Sequence, residues 1–287
     1  MKNYFTGSFP NDEFLKECCF CDLGHSPLMK KNNLKSVKKK HLYVFCFGCF
    51  EVFTDYERKS PVHWRTSKAK ELFAYFIHNS GKLLPINKIL ADIWPDAPPN
   101  KASDLFHTNL CYVRYMLKSY GGDGNIYYNN GAYSIHIEDI FCDYILFELF
   151  LKQSVFKTTE SNIKLLIYSA SLYLGEYLDN TNFEWASDKK EYYFNLYIKI
   201  LNAISLYYMD HHKYEDALYY LKKLVSNNPF LEDIHVMIMQ ALSYLGDRQA
   251  LIKQYNKLCE ILIDELGVSP KEKTMKIFYE LLNSSND

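Results

Sequence analysis

A β-hairpin signal follows directly after a long amphipathic helix pattern in this sequence. Residues 126–137, IYYNNGAYSIHI, alternate around Asn129-Asn130-Gly131. Asn and Gly adopt the left-handed backbone conformation of a two-residue hairpin turn more readily than other residues. Upstream, apolar residues recur every three or four positions from about Asn100 to Tyr120, which indicates a helix. The sequence therefore predicts a long helix that leads into a β-hairpin.

Short strands are predicted at the start of the same domain. The segment LYVFCFGCFEVF at residues 42–53 is aromatic and β-branched, with Gly48 in its middle. This composition predicts two short strands or one bent strand. Residues 62–65 are a candidate for a third short strand.

Two further helices are predicted between these strands and the long helix. Thr66 is placed to cap the first helix, which ends at Ser80-Gly81. The second is short and runs from about Pro85 to Trp94. Strands, three helices and a terminal hairpin, in this order, predict a winged helix-turn-helix domain with an added N-terminal sheet.

The long third helix is predicted to bury one face and to leave the other free for the major groove of DNA. The buried stripe consists of Ala102, Phe106, Leu110 (or Asn109), Val113 and Leu117. Short polar groups on the free face would contact base edges, and cations there and at the first helix would contact phosphates, while two asparagines would cap the hairpin wing. The predicted DNA-binding residues are Arg65, Lys68, Lys101, Ser103, Asp104, His107, Thr108, Arg114, Lys118, Asn129 and Asn130.

Several of these residues also have a purely structural interpretation. Lys101 and Lys118 could simply be solvated, and Arg114 could pair internally with an acidic group. His107 could be a packing residue. Asp104 could orient a neighbouring cation, discriminate between bases or repel the backbone.

The net charge conceals an asymmetry along the chain. The chain has 33 Lys and Arg against 34 Asp and Glu, a net charge of −1. Residues 30–118 carry 16 basic and 7 acidic residues, a net +9, whereas residues 141–287 carry 15 and 20, a net −5. A basic block joined to an acidic one favours a nucleic-acid-binding domain followed by a domain with a different partner.

From Cys142 onward the sequence predicts only helices. The segment that starts at Lys213 resembles the one that starts at Gly246, 33 residues later. This spacing is close to the period of about 34 residues of tetratricopeptide repeats. The fold class is therefore mainly α, with a winged helix, its small N-terminal sheet and hairpin wing followed by an all-α tetratricopeptide-like domain.

These segments resemble a known family of regulators. FGCFEVF, WRTSKAKELFAYFIHNSGKLLPINKILADIWPD, KASDLFHTNLCYVRYML and NNGAYSIHI are similar to the OmpR-type winged helix, in the version found in the Streptomyces antibiotic regulatory protein (SARP) family. FCDYILFE, KYEDALYYLKKLVSNNPF and ALSYLGDRQALIKQYNKLCEILIDELGVSP resemble the bacterial transcriptional activator domain (BTAD) of those proteins. The resemblance covers about residues 42–283. It divides the chain into an N-terminal extension at 1–40, a winged helix at 41–140 and an activator domain at 141–287.

The resemblance implies a cytoplasmic bacterial transcriptional activator. Such a protein is expected to bind double-stranded DNA at direct repeats near promoters, as a homodimer arranged head to tail, and to recruit RNA polymerase. The helical domain is expected to serve oligomerisation, polymerase contact or ligand response.

Other classes of protein are less well supported by the sequence. No apolar stretch reaches the length of a membrane span, and the N-terminus lacks a signal-peptide pattern. Eight cysteines without an export signal indicate reduced thiols. The sequence contains no nucleotide-binding loop, nucleophile elbow or zinc-ligand helix that would indicate an enzyme. We therefore expect neither an enzyme nor a bound cofactor.

Two alternatives remain open at this stage. The first is a helical-repeat interaction scaffold that does not bind DNA. The second is a thiol- or metal-responsive regulator that uses Cys18, Cys19, Cys21 and His25, or the CxxC pair Cys46 and Cys49. We expect no metal site, because a single CxxC is a weak signal and buried or incidental cysteines are more common.

Overall fold

The computed structural model describes residues 42–121, 125–137, 139–153, 158–160 and 162–284. The chain there begins with a small sheet whose centre is β1 (Leu42–Phe45). Strand β1 pairs antiparallel with β2 (Glu51–Phe53) and parallel with a third strand, Ile140–Cys142, which comes last in the domain. The two short strands predicted before the helices are thus present. The parallel strand was not predicted.

Three helices follow, and their limits agree with the sequence pattern. They are α1 (Ser67–His78), α2 (Ile86–Ile93) and α3 (Pro99–Ser119). Thr66 caps α1 as predicted, because its Oγ1 accepts a hydrogen bond of 3.0 Å from the Ala69 N–H.

The strand predicted at residues 62–65 is absent from this part of the structure. Only Pro61 forms an isolated bridge, to Phe53, and the Val62 N–H donates to the Val52 carbonyl at 2.8 Å. Residues 63–65 then have no neighbouring strand, and Trp64 packs on Phe73 of α1 with ring centres 5.4 Å apart. The β-favouring Trp64 of this segment therefore packs on α1 and does not form part of a strand.

The predicted hairpin forms, and a short extra strand joins it. β4 (Ile126–Asn129) and β5 (Ala132–Ile135) pair antiparallel, and β3 (Leu84–Pro85) pairs with the other edge of β5. The turn has positive φ at Asn130 (47°) and Gly131 (83°), the conformation that the Asn-Gly dipeptide favours. The strand that closes the first sheet is β6 (Ile140–Cys142).

The rest of the described chain is helical. Its helices are α4 (Asp143–Gln153), α5 (Ile163–Leu172), a 3₁₀ turn (Glu184–Ala186), α6 (Ser187–Asp210), α7 (Tyr214–Asn227), α8 (Glu232–Tyr244), α9 (Arg248–Leu266) and α10 (Glu272–Ser284). Helix α6 packs on α7, α8 packs on α9, and α7 and α8 join the two pairs. Helices α7 and α9 start at positions related by the predicted repeat period. The structure is therefore mainly α, with a winged helix and a helical-repeat domain as predicted. None of its described helices is long and apolar enough to cross a bilayer.

A hydrogen bond to a buried histidine accounts for one irregularity in the repeat pattern. Gln254 stands where the repeat calls for an apolar residue, and its side-chain amide lies 2.8 Å from Nδ1 of the fully buried His235. Nε2 of His235 lies 3.0 Å from the Pro229 carbonyl. Because a neutral imidazole donates from one nitrogen and accepts at the other, both partners are satisfied when Nε2 carries the proton.

The winged helix and the helical domain meet at a seam built on residues 46–49. The Gly48 N–H donates to the Glu176 carbonyl at 2.9 Å, and the Asp179 N–H donates to the Gly48 carbonyl at 2.8 Å. The Asp143 carboxylate, at the start of α4, accepts hydrogen bonds from the N–H groups of Cys46, Phe47 and Tyr144. The predicted boundary at 140/141 falls inside β6, and the domain limits remain predictions.

Candidate nucleic-acid interface

Helix α3 presents a continuous exposed stripe of polar and cationic side chains. The exposed members are Lys101, Asp104, His107, Thr108, Cys111, Arg114, Tyr115 and Lys118. They recur every three or four residues and therefore share one face. Ser103 is half-buried at the edge of this stripe. The opposite face is buried as predicted, at Ala102, Phe106, Asn109, Leu110, Val113 and Leu117.

The buried face of α3 fixes the direction of the exposed one. Phe106 is fully buried and packs edge-on against Tyr133 of the wing, with ring centres 5.0 Å apart. Asn109 is buried as well, and its Oδ1 accepts a hydrogen bond of 2.7 Å from the hydroxyl of Thr66. Thr66 therefore caps α1 and anchors α3 at the same time.

Arg65 and Arg114 are exposed and are oriented by contacts within the domain. The Arg65 guanidinium lies 4.5 Å from the ring centre of Tyr112 on α3. Nη2 of Arg114 donates to the Ile126 carbonyl at 3.3 Å, at the base of the wing. Each keeps further N–H donors, because a guanidinium has five. Arg114 thus bonds to a backbone carbonyl, whereas the sequence-based alternative was an acidic partner.

Lys68 is engaged within the domain, whereas Lys101 and Lys118 are exposed. Nζ of Lys68 donates to the Ile93 carbonyl at 2.9 Å and lies 2.8 Å from Oε2 of Glu71. A phosphate would have to compete with both partners. The contact of Lys68 with DNA therefore stays a prediction, and the two internal partners of its ammonium group disfavour that contact.

The wing places its turn residues at an exposed tip. Asn129 and Asn130 are exposed there, beside two exposed tyrosines. Tyr128 is 61% exposed, and the Tyr127 ring lies 4.4 Å from that of His136. The structure thus brings the predicted helix and wing residues to two adjoining exposed surfaces.

Three exposed tyrosines lie beside the predicted DNA-binding residues and were not included among them. Tyr115 is 76% exposed on the α3 stripe, and Tyr127 and Tyr128 are exposed on the wing. Helical spacing predicts Tyr115 on the outer face of α3, because it follows Cys111 by four residues and His107 by eight, and its exposure confirms that placement. The wing tyrosines carry no such signal, because neighbouring positions 127 and 128 are both exposed.

The positive charge of the window 30–118 is not confined to the described domain. Six of its lysines lie at positions 30–40, outside the described residues. Residues 42–118 carry ten Lys and Arg against seven Asp and Glu, a net +3. The window therefore owes six of its nine net positive charges to lysines outside the described residues.

The CxxC pair has a structural place in the seam. Cys46 is fully buried, and burial raises the pKa of its thiol, which makes the reactive thiolate less accessible. Cys49 is exposed, and its Sγ accepts a hydrogen bond of 3.3 Å from Nδ2 of Asn180. No group of three or more His, Cys, Asp or Glu side chains is arranged to hold a metal in the described part of the chain. The other proposed cluster, at residues 18–25, lies outside the described residues.

Comparison with known proteins identifies the helical part. Residues 152–282 match the family model described as bacterial transcriptional activator domain. The chain is 24% identical over 231 residues to the transcriptional regulatory protein MoaR1 of Mycobacterium bovis, and equally to that of Mycobacterium tuberculosis. These alignments cover 76% of this chain and 72% of each relative.

A solved structure shares the fold. The structure of Mycobacterium tuberculosis EmbR in complex with a low-affinity phosphopeptide superposes with a TM-score of 0.68 at 17% identity. The match covers 86% of this chain, which spans 66% of the length of that one.

Proposed function

We propose that the chain is a SARP-like transcriptional activator with a bacterial transcriptional activator domain, and that its winged helix binds duplex DNA in a sequence-specific manner. Helix α3 enters the major groove, and the wing β4–β5 lies on the backbone beside it. The exposed stripe on α3 is the observation that carries this proposal.

Different side chains of the stripe suit contacts with bases and contacts with phosphates. His107 and Thr108 carry short polar groups that reach base edges from the middle of the helix. Lys101 and Lys118 lie near its two ends, where the flanking phosphate backbones pass. The exposed Asn129 and Asn130 amides supply neutral donors to the backbone at the wing tip.

Salt dependence of binding tests this proposal. Four cations of the described face, Arg65, Lys101, Arg114 and Lys118, would give a slope of about −4 in log affinity against log salt for one protomer. A duplex is first selected from a random library by the full chain, and its affinity is then measured by fluorescence anisotropy at several salt concentrations.

A matched pair of variants locates the binding surface. Lys101→Ala with Lys118→Ala should reduce the magnitude of the salt slope by about 2. Lys253→Ala with Lys273→Ala, two exposed lysines of α9 and α10, should leave it unchanged. Absent or salt-insensitive binding by the native chain would overturn the proposal in favour of a scaffold that does not bind DNA.

The helical domain is proposed to contact RNA polymerase, with two protomers arranged head to tail on direct repeats in the bacterial cytoplasm. Its net charge of −5 disfavours binding of the helical domain to the same DNA. Exposed aromatic side chains such as Tyr192, Tyr244 and Tyr279 provide apolar contact area. Footprinting on the selected DNA shows the repeat spacing, and transcription with purified polymerase measures activation. DNA binding without stimulation would refute the polymerase contact alone.

A further inference from the structure

A cavity of about 620 Å³ lies at the seam between the winged helix and the helical domain. The winged helix contributes the turn after α1, from His78 to Lys82, and the end of the wing strand β5. The helical domain contributes Tyr144 and Glu148 of α4 and Lys189 of α6. An occupant of this cavity would therefore touch the wing and the helical domain together.

Two ammonium groups face the cavity from opposite domains. Lys82 is exposed, whereas Lys189 is half-buried. Nζ of Lys189 donates to the His78 carbonyl at 2.5 Å and lies 5.2 Å from the ring centre of Tyr144. Burial lowers the pKa of Lys189; the Glu148 carboxylate opposes this shift, and repulsion from Lys82 adds to it. Both ammonium groups line the same cavity.

One carboxylate balances part of this charge. Glu148 lines the same cavity, and its Oε1 accepts a hydrogen bond of 2.6 Å from the Tyr193 hydroxyl. His78 is neutral, because burial and the two lysines lower its pKa to about 3. Two lysines and one glutamate of the described lining leave one net positive charge, beside the exposed imidazole of His136, which suits a ligand with a single negative charge.

The remaining lining is apolar apart from a few hydrogen-bonding groups. Ile135, Ile137 and Ile145 contribute aliphatic surface, and Tyr144 contributes the face of its ring. The Ser80 hydroxyl, which lies 2.9 Å from the Tyr144 hydroxyl, supplies a further polar group to the lining. A pocket of this kind holds the apolar body of a ligand and orients it with a few polar contacts.

We propose that this seam cavity is a binding site for a small monocarboxylate with an apolar body, its carboxylate held between Lys82 and Lys189 and its body against the three isoleucines. A second negative charge on the ligand would face Glu148, which excludes phosphate monoesters and dicarboxylates. The site lies away from the exposed stripe of α3 and does not depend on DNA binding. Because both domains line it, a bound carboxylate would stabilise one arrangement of the wing relative to the helical domain.

Calorimetric titration of the full chain with benzoate and hexanoate tests this proposal. Benzamide and hexanamide are the matched neutral probes, and inorganic phosphate is the dianionic one. At least one carboxylate should bind, and its amide should bind about tenfold more weakly, because a charge-assisted hydrogen bond is lost. If neither carboxylate binds, or if amide or phosphate binds as tightly, the proposal is wrong.

Two charge variants with opposite expected effects locate the carboxylate. Lys82→Gln should weaken binding at least about fourfold, as expected for the loss of a unit charge a few ångströms away in water. Glu148→Gln should tighten binding by a similar factor, because the amide oxygen can still accept from Tyr193. Lys253→Gln and Glu260→Gln on α9 are the exposed controls. Equal affinity in Lys82→Gln and the native chain, with both folded by circular dichroism, would overturn the assignment.

Discussion

The exposed stripe of α3 and the seam at residues 46–49 belong to the same winged helix, but they differ in the solvent exposure of their charged side chains. On α3, Lys101, Asp104 and Lys118 project into solvent. In the seam, the Asp143 carboxylate is 1% exposed, and three backbone N–H groups solvate it in place of water. The polar groups of the stripe are therefore available to a partner, whereas the Asp143 carboxylate already has hydrogen-bond donors within the seam.

Aromatic packing strengthens this contrast. Phe47 of the seam is buried among Phe147, Tyr173 and Tyr193, with ring centres 5.0, 5.0 and 5.4 Å from its own. Tyr115 on the stripe is 76% exposed. Substitutions in the seam should therefore change the free energy of unfolding, whereas substitutions on the stripe should change DNA affinity.

The largest expected effect comes from removing the seam carboxylate. Asp143→Ala leaves three buried N–H groups without an acceptor, so the free energy of unfolding should fall by about 3 kcal/mol or more. Chemical denaturation of the full chain measures this. Asp104→Ala, a matched change on the stripe, should leave the denaturation midpoint in place and alter DNA affinity instead. Equal stability losses in the two variants would remove the distinction between the regions.

Local patterns in the sequence specify most of the stripe. The buried and exposed positions of α3 follow from a period of 3.6 residues, and the wing turn follows from Asn130-Gly131. The cap at Thr66 depends on the next three residues alone. These features form within one element, so the sequence predicts them without knowledge of the tertiary fold.

The seam could not be predicted in this way. Strand β6 is only three residues long, and its partner β1 lies far away along the chain. The same holds for the pairing of Gly48 with residues 176–179 and for the attachment of Lys68 to the Ile93 carbonyl. These contacts join residues far apart in the sequence, so they depend on tertiary packing and cannot be predicted from short-range patterns.

The next largest effect concerns sequence preference on the stripe. His107→Ala with Thr108→Ala should lose about 1–3 kcal/mol of discrimination for each base pair that they contact, with a smaller change in non-specific affinity. Anisotropy with the selected duplex and with a scrambled duplex measures both quantities. Lys101→Ala is the comparison, because it should weaken both duplexes about equally. A uniform loss in the double variant would show that α3 is not the reading helix.

A smaller effect is expected from pH at the seam. Burial, together with Lys189 and Lys82, lowers the pKa of His78 to about 3, below its unfolded value of about 6.5. The unfolded chain therefore takes up a proton first as the pH falls, and stability present above pH 6.5 is lost between about pH 6.5 and 3. Between pH 7.5 and 5.5 this loss should be about 1.4 kcal/mol.

The His78→Gln variant isolates this contribution. Burial raises the pKa of Asp143 to about 6, so protonation of Asp143 opposes the histidine effect below that pH. The informative quantity is thus the difference in pH dependence between the native chain and His78→Gln. His107→Gln on the stripe should follow the native chain. An unchanged pH dependence in His78→Gln would show that the seam imidazole does not carry this linkage.

A still smaller effect is expected at Lys68. The sequence predicts that Lys68 contacts DNA, whereas in the structure its ammonium group binds partners within the domain. Lys68→Met removes the hydrogen bond to the Ile93 carbonyl and the ion pair with Glu71, and should lower the free energy of unfolding by about 1 kcal/mol or less. Its effect on DNA affinity should be smaller than that of Lys101→Met, which should leave the denaturation midpoint unchanged. If instead Lys68→Met weakens DNA binding as much as Lys101→Met and leaves stability intact, the ammonium exchanges its internal partners for a phosphate. The DNA surface would then extend from α3 onto the first turn of α1.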